Sequence, residues 1–503
     1  MKSSKNIWNI LSTYGNKLWG FISIFIFIPL YIKYLGMESY AVIGFYSLLL
    51  GIISFADAGL SSAITREFAS EHTNNYKYSV LRLIEKLYLT ICVSVVILIF
   101  LFAPLISKYW LTSEKISIDL LTYYIRLIGL GVSIQLISSL YYGAMFGIDH
   151  QVEANIYQVT WSISRSLGVL LVLIWVSKTL EMYFLWQIIC NSIYVLLLRS
   201  KLVQVLKINV NKLYIEIQKI PKEILVYVGG MSIVAIISSI NSQIDKIVVS
   251  SAFPLKTYGY YSLASALSQL PVMLGVPLVL SLFPKFSNLA VRNETDKLRI
   301  NFEKFNSILN VFIFTILFIL LLYPSEILNL WTKNAVESNY QLEVLRTIQF
   351  LSIGSTFLAL QLLFFYILLS YGQTKYTIYQ GFVQISFGVP LLYLFVNKIG
   401  LSGAGISWVI INFGAFVYLF IVVSKKYLHF KYLRFFISSI LTPFLMVLFP
   451  ILLGFLLYKR FNEYFLIIAI ISATLSLAIN LLLFSYKYNK SFKNIFSLFN
   501  FLE

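Results

Sequence analysis

The chain has 503 residues, 59% of them hydrophobic and only 12% charged, with a mean hydropathy of +0.82, a balance outside the soluble range and typical of multi-pass membrane proteins. The formal charge of +18 would suit a nucleic-acid binder, but the 39 Lys and Arg are scattered through loops between apolar runs instead of forming a basic domain, so nucleic acid is excluded as a partner. Cys92 and Cys190, the two cysteines, both lie inside apolar runs, which supports neither a disulfide framework nor a thiolate metal site.

Apolar runs of about 20 residues, each long enough to cross a hydrocarbon core of about 30 Å as a helix, recur along the whole chain. Fourteen are expected, over residues 7–32, 40–63, 87–106, 120–146, 157–176, 182–198, 224–251, 258–282, 305–328, 345–370, 378–396, 401–423, 435–458 and 464–484. The opening Met1-Lys2-Ser3-Ser4-Lys5 has the basic character of a signal peptide, but a long apolar run follows and no small-residue cleavage site closes it. It reads as a retained first helix. With the N-terminus inside, inner segments carry 25 Lys and Arg and outer loops nine, so the positive-inside rule puts both termini in the cytoplasm. The other five, Lys17, Arg126, Arg165, Lys246 and Arg346, fall within spans. The basic inner segments 199–223 and 285–304 are expected to lie on the membrane surface as amphipathic helices.

An internal repeat organises the runs. Arg126 in Tyr-Ile-Arg-Leu-Ile and Arg346 in Val-Leu-Arg-Thr-Ile are 220 residues apart, as are Ser166-Leu167-Gly168-Val169 and Ser386-Phe387-Gly388-Val389; Ile156-Tyr157-Gln158 and Ile378-Tyr379-Gln380 are 222 apart. The matches pair span four with ten and five with eleven, so both copies keep one orientation in the membrane. The expected architecture is all-α and polytopic: an N-terminal six-helix lobe (1–200), a cytoplasmic basic linker (201–223), a C-terminal six-helix lobe (224–430), and an appended pair, helices 13 and 14, with a basic tail (431–503).

Charges inside these spans are the candidate site. Asp57 sits in FADAGLSSAITREFAS (Phe55 to Ser70), beside small residues that let helices approach closely, with Arg66 at the expected cytoplasmic border. A carboxylate there is costly and usually faces a cavity, as do Asp245 and Lys246, which point about 100° apart on a helix. The alternatives are pairing with another span or snorkelling. Lys17 follows the polar notch Tyr14-Gly15-Asn16, and Arg165 stands among Ser162, Ser164 and Ser166, where a guanidinium can grip a phosphate or snorkel to the inner face. Arg126 and Arg346 are secondary candidates, near enough to the outer ends of their helices to reach interfacial water. His72, His150 and His429 are loop residues, and no catalytic or nucleotide-binding motif stands in a credible context, so no enzyme, cofactor or metal site is expected.

Four stretches carry a family resemblance: Phe55 to Ser70, Tyr141 to Gly147 (YYGAMFG), Gln243-Ile244-Asp245-Lys246 followed by Tyr258-Gly259-Tyr260-Tyr261, and Gly400 to Trp408 (GLSGAGISW). In these the chain resembles the Wzx-type polysaccharide-unit (O-antigen) flippases of the multidrug, oligosaccharidyl-lipid and polysaccharide exporter superfamily. The resemblance implies two six-helix lobes around a central V-shaped cavity and alternating access. It also implies translocation of an undecaprenyl-diphosphate-linked oligosaccharide across the bacterial cytoplasmic (inner) membrane, with basic cavity residues on the diphosphate. The implied partners are membrane lipids, a polysaccharide polymerase and chain-length proteins. Many Wzx proteins have twelve spans whereas the lipid II flippases have fourteen, which keeps a lipid II or teichoic-acid precursor open; against lipid II, the first span offers only Lys17 where those flippases place arginines. A cation-coupled multidrug exporter of the same fold, titrating Asp57 or Asp245, is the reading from another class.

Overall fold

The computed structural model describes residues 2–207 and 222–487, and no strand occurs among them. Helix is what the medium demands, since backbone N–H and C=O groups in hydrocarbon must be satisfied within their own segment. The chain clusters into two compact units, Met1–Ser262 and Leu263–Glu503. The first holds α1 (Lys2–Leu35), α2 (Met37–Ile53), α3 (Phe55–Ala69), α4 (Asn74–Leu105), α5 (Ile118–Gly147), α6 (Gln151–Trp175), α7 (Leu180–Val205) and α8 (Lys222–Ala252). The division falls within α9 (Leu255–Ser268). The second unit continues with α10 (Leu270–Val291), α11 (Thr295–Leu322), α12 (Pro324–Thr332), α13 (Ser338–Ser370), α14 (Thr374–Ile399), α15 (Leu401–Lys426), α16 (Tyr432–Phe436), α17 (Thr442–Arg460) and α18 (Phe465–Lys487).

Twelve helices among the described residues are long and apolar enough to cross a membrane, against the fourteen expected. The expected span 40–63 is interrupted at Ser54, whose hydroxyl turns back onto the Gly51 carbonyl (2.7 Å), a Gly/Ser break that leaves α2 as a shorter apolar helix. The span 224–251 corresponds to α8 and is not among the twelve. The span 258–282 is broken at Gln269, because Pro271 in the first turn of α10 has no N–H with which to continue α9. The two breaks, 215 residues apart, fall in the second span of each copy. Segment 285–304 is not a surface helix: α10 runs on to Val291 and α11 begins at Thr295, with Asn293 at φ 56° in the turn between them. Segment 199–223 is the end of α7 as far as Val205, and its central part, 208–221, lies outside the described residues, as does the basic tail 488–503.

Buried Asn191 and Asn412, 221 residues apart on α7 and α15, each tie the sixth helix of a copy to its fourth: Asn191 Nδ2 donates to the Gly131 carbonyl of α5 (3.0 Å), and Asn412 Oδ1 accepts from Gln361 Nε2 of α13 (3.4 Å). The appended helices α17 and α18 pack on each other and on α11.

Close helix crossings account for two of the sequence motifs. In Gly143-Ala144-Met145-Phe146-Gly147 a Cβ on Gly143 would stand 2.9 Å from the Ser61 carbonyl oxygen, and one on Gly147 2.5 Å from that of Thr65. These two glycines, four apart, let α5 meet α3 backbone to backbone, and Thr65 Oγ1 donates to the Gly143 carbonyl across the crossing (2.9 Å). In Gly400 to Trp408, Gly400 makes the tight turn at φ +79°, Glu343 accepts the Leu401 N–H (2.8 Å), and Gly405 lies against Phe350. Gly147→Val should therefore cost about 1–3 kcal/mol by forcing α3 off α5. Thermal unfolding in detergent should show a lowered midpoint for that variant and none for Gly20→Ala, whose Cβ meets nothing within 4 Å.

Candidate functional site

Helices α1 and α6 are joined by a ladder of polar side chains that starts in the notch around Asn16. Asn16 Nδ2 donates to Gln158 Oε1 (2.6 Å), and Trp19 Nε1 donates to Ser162 Oγ (3.1 Å). Buried Asn155 donates to Ser12 and Thr13 (3.1 and 3.0 Å) and accepts from Tyr142 of α5 (2.7 Å). Each group answers another, as polar atoms in hydrocarbon must.

The cations beside this ladder are not answered. Lys17 is exposed, with neither a hydrogen bond nor an ion pair to any described residue. The Arg165 guanidinium is half-buried, lies 4.6 Å from the Trp161 ring centroid and is within electrostatic reach of Tyr31, Tyr46 and Tyr183, but it meets no carboxylate among the described residues. The bonds from Asn16 and Trp19 turn that face of α1 to α6; Lys17 stands about 100° round the helix from Asn16, and Arg165 lies about two turns beyond Gln158 on α6.

Both acidic candidates accept a tyrosine hydroxyl, while Asp245 Oδ1 is buried with no hydrogen-bond partner among the described residues. Asp57, half-buried on α3, accepts the Tyr88 hydroxyl of α4, and buried Asp245 on α8 accepts Tyr261 OH of α9 (2.6 Å). Lys246 does not pair with its neighbour Asp245; its Nζ is 3.4 Å from Gln243 Oε1 on its own helix. Arg66 is exposed in the last turn of α3. Arg126 is half-buried over the Phe100 ring (5.7 Å), and Arg346 is exposed on α13. The six primary candidates thus fall into two groups, Lys17 and Arg165 on the packed pair α1 and α6, and Asp57, Arg66, Asp245 and Lys246 on the packed pair α3 and α8.

Sequence reasoning missed a buried charge network. Glu85 Oε1 accepts from Arg199 Nε (2.9 Å) and from Tyr141 OH (2.8 Å), binding α4, α5 and α7. Glu85 had read as loop because its apolar run starts at Leu87. The overlooked signal is Thr73, whose hydroxyl accepts the Tyr76 N–H (3.1 Å) and starts α4 more than a turn before the apolar run. Buried Glu38 is likewise occupied, by Ser113 Oγ and the Lys115 N–H. No cluster of three metal-ligating side chains occurs among the described residues.

The number and apolar length of the helices define a multi-pass membrane protein, and its fold is shared with solved flippases and transporters. A family profile described as "Polysaccharide biosynthesis protein" matches residues 4–290, and the chain belongs to that family. It is 25% identical over 380 residues to a Shigella flexneri protein named "Putative O-antigen transporter", a match covering 74% of this chain and 87% of the relative. Among solved structures it is similar to the lipid II flippase MurJ in an inward closed conformation (TM-score 0.72, 16% identity, 96% of this chain and 100% of that one). A multidrug resistance MATE family transporter of the MOP superfamily, facing inward, gives a TM-score of 0.66 at 17% identity, over 82% of this chain and 94% of that one.

Tyr261→Phe leaves buried Asp245 without its donor and should cost about 1–3 kcal/mol, the penalty of an unsatisfied buried polar group. A lowered unfolding midpoint in detergent is the expected reading, with Tyr393→Phe, at an exposed tyrosine, as the unchanged control.

Proposed function

We propose that the protein flips an undecaprenyl-diphosphate-linked oligosaccharide from the inner to the outer leaflet of the bacterial cytoplasmic membrane. The observation that carries this reading is the asymmetry of charge satisfaction: the carboxylates Asp57 and Asp245 accept tyrosine hydroxyls, while Lys17 and Arg165 have no anion among the described residues. An anionic ligand supplies what they lack. In this reading the Arg165 guanidinium, held over Trp161, forks onto the diphosphate and Lys17 adds a second positive charge to the same group. Asp57, Arg66, Asp245 and Lys246 belong to the same polar lining.

The lipid tail stays in the bilayer. An apolar groove of about 390 Å³ on α17 and α18, lined by Leu445, Met446, Phe449, Leu452 and Ile479, supports a role for the appended pair in guiding the polyprenyl chain. The charges also bear on turnover. A diphosphate bound by two cations is close to neutral, whereas the empty carrier keeps its positive charge, which an inside-negative potential draws inward at about 2.3 kcal/mol per charge per 100 mV. Both termini lie in the cytoplasm in this orientation. A polysaccharide polymerase and chain-length proteins act on the product.

Translocation of a labelled undecaprenyl-diphosphate oligosaccharide in proteoliposomes tests the reading, and an imposed inside-negative potential should accelerate it. Loss of a charge-assisted contact is worth about 1.5–3 kcal/mol, so Lys17→Ala and Arg165→Ala should each weaken apparent affinity roughly tenfold or more with folding intact. Lys246→Ala should lower transport as well. Failure to move such lipids, with cationic dyes expelled instead, would overturn the proposal in favour of a drug exporter.

A further inference from the structure

The outward face of α14 and α15 carries a cleft that the transport reading leaves unused. It encloses about 210 Å³, with Tyr379 and Tyr418 (ring centroids 5.8 Å apart) towards one end and Val383, Phe387, Leu391 and Ile411 along its length. Tyr379 to Leu391 is twelve residues, or about 18 Å of helix, close to the hydrocarbon depth of one leaflet, about half of 30 Å. The walls are apolar apart from Gln380 and Gln384, and Phe387 and Tyr379 remain 74% and 59% exposed, which suits contact with hydrocarbon more than with water. Gly414 lies on the α15 wall, where an added Cβ would meet nothing within 4 Å. Glycine costs a mid-helix position about 1 kcal/mol relative to Ala, and here no neighbouring backbone requires it. Its effect is to leave the cleft open.

One turn before Tyr379 the character changes. Lys426 Nζ donates to Tyr376 OH (2.9 Å), and the ammonium groups of Lys375 and Lys426 stand 5.2 and 4.8 Å from the Tyr376 ring centroid. Neither lysine pairs with a carboxylate among the described residues, and neither α14 nor α15 contains Asp or Glu. A cationic pair at the end of an apolar cleft one leaflet deep matches one kind of molecule. We propose that α14 and α15 hold an anionic glycerophospholipid, its phosphate on Lys375 and Lys426 and an acyl chain in the cleft past Gly414. It is a resident lipid, bound apart from the transported one.

Native mass spectrometry of the full chain, taken from bilayers of equal phosphatidylglycerol and phosphatidylcholine, tests this directly. Wild type should retain phosphatidylglycerol in preference to phosphatidylcholine. The double variant Lys375→Gln, Lys426→Gln should lose roughly thirtyfold in that preference, the value of two lysines at a headgroup. Gly414→Leu should abolish retention of either lipid; if it fails to fold, Val383→Trp fills the cleft from the other wall. Equal retention of the two lipids by wild type, unchanged retention in the cleft-filled variant, or displacement of the lipid by a soluble oligosaccharide would overturn the assignment. Oligosaccharide transport by the variants reports separately on the flippase reading.

Discussion

Within a bilayer no water is available to satisfy a polar group, and every other feature of this protein follows from how that shortage is met. The backbone meets it by helix formation. Side chains meet it by pairing across helices, and the pairs are specific: Tyr88 on Asp57, Tyr261 on Asp245, Tyr141 and Arg199 on Glu85, and Asn16 on Gln158. Because each bond joins two helices, satisfying the charges also sets the helix packing. Positions where the demand goes unmet stand out, and Lys17 and Arg165 are such positions.

Small residues do the complementary work. Lipid tails are as apolar as leucine, so helices in a membrane gain little by burying apolar surface and associate through close packing. Gly143 and Gly147 bring α5 onto α3, and Gly400 and Gly405 seat α15. The segments that suggested the family resemblance owe their character partly to these crossings. Gly414 is a small residue of another kind, since it faces a cleft and not a neighbouring helix.

The two copies of the repeat keep the scaffold and differ in charge. Each breaks its second span, and each anchors its sixth helix to its fourth through a buried asparagine. The fifth helix differs: α6 presents Arg165 over Trp161, whereas its counterpart α14 contains no arginine and is lined by Tyr379, Gln380 and Phe387. The two fifth helices therefore carry different chemistry.

Much of the fold was legible in the residues themselves. That the chain is all-helical and crosses a membrane many times depends on apolar run length along each helix, which the chain order records directly. The helix breaks at Ser54 and Gln269 were less legible, because hydropathy does not register a hydroxyl bonded back to its own helix or the missing N–H of a proline. The candidate residues could be named, but not sorted. Asp57, Asp245, Lys17 and Arg165 read alike as charges in apolar runs, and only tertiary structure separated the carboxylates that meet a tyrosine from the cations that meet no anion. Glu85 was missed for another reason, since α4 starts at its Thr73 cap well before the apolar run that begins at Leu87. Whether a charge in a membrane is satisfied depends on a partner from another helix, and that partner is chosen by packing in three dimensions.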